Sequence, residues 1–164
     1  MKKIPILMFI TVFLCSVGNQ ANKIERKEFT VDFSEPELNI YQIASYMTGC
    51  PERILRGLHF AESTYGANTK HIDPLDRGPF GLHEDPAYHA ERAAKWGEYN
   101  PDCPLQSAII AGHIYMENLR LMGNEADAIA AYKQGRRGVR ENGRQEWYVE
   151  RVLNYRVYEE GKAC

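Results

Sequence analysis

Glu62 stands in the run Phe60-Ala61-Glu62-Ser63-Thr64-Tyr65-Gly66, one carboxylate near the end of an apolar stretch, followed at once by a hydroxyl and four residues later by a glycine. Glu62 follows Leu58 by four positions and Leu55 by seven, so on a helix it lies on the apolar face rather than the solvated one. A carboxylate there loses hydration and suits proton transfer better than solubility. Three further segments bear groups that work beside such an acid. Gly81-Leu82-His83-Glu84 offers close backbone approach, an imidazole and a second carboxylate; Tyr132-Lys133 offers a phenol and an ammonium; Tyr148 offers another phenol. Each residue has an ordinary reading too: Tyr132 and Tyr148 as core aromatics, His59 and His113 as helix or boundary residues, Arg136, Arg137, Arg140 and Arg144 as a solvated basic loop or a surface for carboxylates. Neither His71, His83 and His89 nor any cysteine pair has metal-ligand spacing, so no metal and no cofactor are expected.

The elements that must position these groups read as helices. Ser34 is the expected N-cap of the first, with Pro36 in its first turn and Gly49 as its end. Pro51 opens the second, whose inward face is Ile54, Leu55, Leu58 and Ala61, and Gly66 closes it. Ala67 to Glu84, with its prolines, histidines and glycines, reads as an irregular loop. Asp85-Pro86 starts a helix reaching Lys95, and Asp102 with Pro104 starts a long one that is apolar nearly all round, the mark of a central helix. Asn124 caps a short helix over residues 125–134 that Gly135 ends. Residues 136–143 read as a basic loop, and a last helix runs over 145–159. The fold class is all-α, with one long functional loop.

The first 18 residues read as a secretory signal. Lys2 and Lys3 precede an apolar run from Ile4 to Cys15, and Ser16-Val17-Gly18 places small residues for cleavage after Gly18, with Ala21 as a second end. An uncleaved anchor is the alternative, and Cys15 raises lipidation although Leu14 fits a lipobox poorly. Residues 19–33 read as a flexible lead-in and 34–164 as the one folded domain. Loss of the leader takes two lysines from 20 basic against 22 acidic side chains and moves the net charge from −2 to −4. That balance argues against nucleic acid as a partner. Cys50, Cys103 and Cys164 remain; three pairings and reduced thiols are all open, and the placement of Cys50 and Cys103 before helix starts favours their pairing.

Taken in order, Glu62-Ser63, Gly81-Leu82, Ala131-Tyr132 and Tyr148 resemble the signature of soluble lytic transglycosylases, within the goose-type lysozyme-like superfamily, from about Cys50 to Tyr155. The resemblance implies a lysozyme-like helical domain acting outside the cytoplasm on peptidoglycan glycan strands. It implies a monomer, membrane-bound only if Cys15 is lipidated or the leader retained. Glu62 is then the catalytic acid and base. Ser63, Gly81, Leu82, His83, Glu84, Tyr132, Lys133 and Tyr148 are substrate-side residues, with Ser63 orienting the carboxylate and the Tyr148 hydroxyl in reach of Glu62. Two positions depart from the pattern: His83-Glu84 replaces Met-Gln, and Lys133 replaces Asn. Glu84, or Asp76 or Asp85, would allow a lysozyme-like hydrolysis instead, and a peptidoglycan-binding or assembly protein with a degenerate site is the reading from another class.

Overall fold

The computed structural model describes residues 39–156; the leader, the lead-in, Cys15, Ser34, Pro36 and Cys164 lie outside them. Six helices and one small hairpin follow in order: α1 (Ile40–Thr48), α2 (Glu52–Ser63), β1 (Asp76–Arg77), β2 (Leu82–His83), α3 (Pro86–Trp96), α4 (Pro104–Met122), α5 (Glu125–Asn142) and α6 (Glu146–Leu153). The all-α class holds. Helix starts follow their capping residues. Asn39, not Ser34, caps α1 by accepting from the Tyr41 amide at 3.1 Å. Asp85 caps α3 through the Ala87 amide, with Pro86 at its first position, and Asn124 caps α5 through the Asp127 amide.

Helix ends bring the first departures from the sequence reading. α2 stops at Ser63, three residues before Gly66, because Thr64 and Tyr65 both take left-handed backbone (φ 54° and 58°). Two non-glycine residues in that region store strain directly after Glu62-Ser63. Gly135 does interrupt α5 (φ 76°, ψ 155°), but helix resumes beyond it, so the expected basic loop is helical up to Asn142. Arg137 bonds Glu141 at 2.7 Å and Arg136 reaches Glu117 and Asn118, and just beyond the helix Arg144 bonds Glu146 at 2.9 Å.

α4 is the central helix. It packs on α1, α2 and α5, and buries Ala108, Ile110, Ala111 and Tyr115. Two glycines let helices cross at backbone distance. A Cβ on Gly112 would fall 2.6 Å from Thr48 Oγ1, where α1 meets α4, and one on Gly57 would fall 2.2 Å from the Val152 carbonyl, where α6 meets α2. The second crossing brings the helix of Tyr148 onto the helix of Glu62. α3 lies outside this core; Trp96 stacks on His113 of α4 at 5.2 Å and Lys95 pairs with Glu117 at 2.5 Å.

Cys50 and Cys103 are free thiols, against the expected pairing. Thr48 meets α4 at Gly112, nine residues past Cys103. At helical rise that is about 13 Å, well beyond the reach of a disulfide. Cys50 is fully buried, and burial pushes its thiol up to about 12, which leaves it unreactive.

His59, also on α2, is buried. Its Nδ1 lies 2.7 Å from the Tyr41 hydroxyl and its ring stacks on Phe80 at 4.7 Å. Burial lowers its imidazole to about 4. The unfolded chain, titrating near 6.5, therefore binds the proton first as pH falls. His59 stabilises the fold above that value, and its contribution fades as pH drops toward 4. The expected loss across the window is about 3 kcal/mol. Urea unfolding of the wild type and His59→Phe between pH 7 and 4 measures it: the difference in slope should lie in that window, and equal slopes would remove His59 as the cause.

Candidate active site

Glu62 ends the apolar face of α2 with its side chain only 4% exposed. A carboxylate so placed needs donors, and two reach it. The Tyr148 hydroxyl donates to Oε1 at 2.6 Å, across 86 positions of chain. The Lys133 ammonium donates to Oε2 at 3.3 Å and lies 5.8 Å from the centre of the Tyr148 ring. Burial, and then the charge of Glu62, raises the Tyr148 phenol well above its ordinary range. Tyr148 therefore stays a proton donor at neutral pH. The hydroxyl contact expected from the sequence is present.

Gly81 closes the third side. Its φ is +58°, and a Cβ there would fall 2.6 Å from Glu62 Oε2. Any larger residue would be strained and would push the carboxylate. Gly81 belongs to a hairpin inside the segment read as an irregular loop: β1 and β2 pair antiparallel, Asp76 opposite His83 and Arg77 opposite Leu82. Two residues per strand are too few for a readable alternation, so the sequence did not disclose it.

The backbone before Gly81 is held from both sides. Ser63 Oγ donates to the Pro79 carbonyl at 2.6 Å and accepts from the Gly66 amide at 2.8 Å. Tyr132 donates to the Phe80 carbonyl at 2.8 Å. Burial, and then the charge of Glu62, also raises the Tyr132 phenol far above its usual range. Neither side chain bonds Glu62. Ser63 is fully buried, and its hydroxyl staples the end of α2 to the loop rather than bonding the carboxylate. Tyr132 does the same from α5. The Leu82 side chain lies in the core, which leaves its backbone as the part that borders the site.

Glu84 departs furthest from expectation. Its carboxylate is 8% exposed and fully engaged. Arg92 reaches Oε1 at 3.0 Å, Tyr99 donates to Oε1 at 2.8 Å, and His89 Nδ1 lies 2.5 Å from Oε2. Arg92 also donates to the His83 carbonyl at 2.8 Å. The network pins the hairpin to α3 and engages both oxygens of Glu84 within the protein. Arg92, His89 and Tyr99 went unnoticed in the sequence; the i, i+3 spacing of His89 and Arg92 after an acid was the available signal.

His83 bonds Asp76 at 2.9 Å, with Asp73 3.8 Å away, and Tyr88 meets the imidazole edge-on. One ligand-type atom from each of Asp73, Asp76 and His83 lies within 4.8 Å of the others, a convergence that the histidine spacing did not suggest. Asp85 is spent as the cap of α3. His71 bonds the Gly78 carbonyl at 2.8 Å. The structure thus joins Glu62, Gly81, Lys133 and Tyr148 directly, sets Ser63, Tyr132 and Glu84 behind them as supports, and leaves His83 with Asp76 on the hairpin.

No protein-family model matches the chain, and no curated protein matches it.

Glu84→Ala should leave Arg92 without its buried partner and cost about 3 kcal/mol of stability. Chemical denaturation checks this. A change within 0.5 kcal/mol, the range of an ordinary surface substitution, would show that the network does not fix the hairpin.

Proposed function

We propose that the chain is a peptidoglycan lytic transglycosylase that cleaves the β-1,4 bond between N-acetylmuramic acid and N-acetylglucosamine with a single acid, Glu62. The observation that carries this reading is the asymmetric seating of its carboxylate: buried, fixed at Oε1 by Tyr148, and approached at Oε2 by the bare backbone of Gly81.

The chemistry follows from that seating. Protonated Glu62 gives its proton to the bridging oxygen as the bond from that oxygen to the sugar carbon breaks. The N-acetyl oxygen of the substrate shields the cationic carbon. Glu62, now a carboxylate, takes the proton of the sugar's 6-hydroxyl as O6 closes on that carbon, giving a 1,6-anhydro end. Water is not consumed, and no second carboxylate is needed. The engagement of Glu84 by Arg92, His89 and Tyr99 fits this economy. Tyr148 stabilises the anion formed midway, when Glu62 is charged in an apolar place.

Asp76 supports a second reading. Its carboxylate is 19% exposed and paired with His83 on the hairpin, where it has the chemistry to hold a water for hydrolysis. Mass spectrometry of digested peptidoglycan separates the readings: anhydro ends mark the lyase, reducing ends the hydrolase, and no new ends a binding protein. An extracytoplasmic location belongs to the same proposal; among the described residues no helix is long and apolar enough to cross a membrane.

Glu62→Gln keeps the shape but has no proton to give, so turnover should fall by about 10²–10⁴ while the melting transition persists. Turnover near the wild-type rate in the folded variant would end the assignment. Tyr148→Phe removes one hydrogen bond to a charged group, and its rate should drop by about 10–100-fold with a cooperative unfolding transition retained. An unchanged rate would show that the phenol contributes nothing to the reaction.

A further inference from the structure

The two oxygens of Glu62 are not equivalent. Oε1 is held by Tyr148, a buried phenol with no room to leave. Oε2 is therefore the oxygen left to carry a transferable proton, and it is the one Lys133 covers. The ammonium, 3.3 Å away, already occupies that oxygen as a hydrogen-bond donor and stands where a bridging oxygen would have to approach it. Lys133 differs from Tyr148 in freedom: its side chain is 34% exposed, on a flexible four-carbon stem. Among the described residues its ammonium meets no other carboxylate, whereas Arg136 and Arg144 on and beside the same helix already have acidic partners. The other charged or titratable groups around Glu62 are the phenols of Tyr148 and Tyr132, with Arg151 acting on Tyr148 and Arg92 and Asp76 on Tyr132. None of these is placed to replace Lys133 on Oε2.

On the lytic transglycosylase reading, we propose that Lys133 is a specificity residue: a latch on Glu62 that a carboxylate of the substrate draws away. Peptidoglycan strands carry such carboxylates on their lactyl or peptide groups; neutral N-acetylglucosamine oligomers do not. An anionic strand gives the ammonium a new partner and frees Oε2 to take a proton from solvent and pass it on. A neutral oligomer leaves the pair closed. The anion preference then comes from releasing the acid as well as from binding.

The test compares the wild type, Lys133→Asn and Lys133→Arg on two probes: peptide-free glycan strands with free lactyl carboxylates, and N-acetylglucosamine oligomers. The wild type and Lys133→Arg should favour the anionic strand. Lys133→Asn should raise kcat/KM on the neutral oligomer by about two- to fivefold, the size of a partly exposed ion pair, through kcat more than KM, and so narrow the preference. An unchanged ratio, or an equal loss on both probes, overturns the latch. Cleavage of neither probe by the wild type overturns the lyase reading instead. Calorimetry then decides the latch alone: tighter binding of the anionic strand that Lys133→Asn abolishes keeps it, and equal preference in both proteins removes it.

Discussion

A carboxylate taken out of water must find donors, and the arrangement around Glu62 depends on that requirement. The donors come from far along the chain: Tyr148 from α6 and Lys133 from α5. For Tyr148 to arrive, α6 must cross α2 at backbone distance, and Gly57 permits it by leaving no Cβ under the Val152 carbonyl. A glycine inside a helix costs local stability of about 1 kcal/mol relative to alanine. Here it offsets that cost by allowing the crossing that satisfies the buried acid.

The hairpin answers a different problem. Gly81 must lie against Glu62 without drifting, yet two residue pairs of antiparallel strand hold little by themselves. The surrounding helices supply the rest. α2 holds the Pro79 carbonyl through Ser63, α5 holds the Phe80 carbonyl through Tyr132, and α3 holds the other end through Glu84 and Arg92. Phe80 and Leu82 anchor the same strip in the core. Left-handed backbone at Thr64 and Tyr65 turns the chain sharply after Ser63 and is kept in place by the amides of Gly66 and Asn68, bonded back to Ser63. Strain and staple thus act on the same few residues beside the acid.

Within this frame the acid has one fixed oxygen and one adaptable oxygen. A buried phenol sets the orientation of the carboxylate, and on our proposal the partly exposed Lys133 ammonium sets the condition under which its other oxygen is available. On the lytic transglycosylase proposal, a cation at position 133, where the resembled family carries a neutral amide, changes the control of the acid, since it alters the charge at the atom that would carry the proton.

The sequence by itself determined the helical frame and the burial of Glu62. Caps at Asp85 and Asn124, the stop at Gly49, and the spacing of Leu55, Leu58 and Glu62 act over one or two turns, and short-range signals of that kind are readable in a line of residues. The contact between Tyr148 and Glu62 was foreseeable only through the order of four segments. Tertiary structure decided the rest. The side chains of Ser63, Leu82 and Glu84 found their partners inside the protein, and each partner was fixed by how α2, α3 and the hairpin meet. Residues 136–142 became helix although Gly135 breaks the run, since Arg137 and Val139 found an acid and a core on the resumed turn. Cys50 and Cys103 stayed apart because α1 meets α4 too far along its length. Lys133 reached Glu62 across 71 positions. Partners at such separations are chosen by the crossing of packed helices, and local residue patterns do not encode where helices cross.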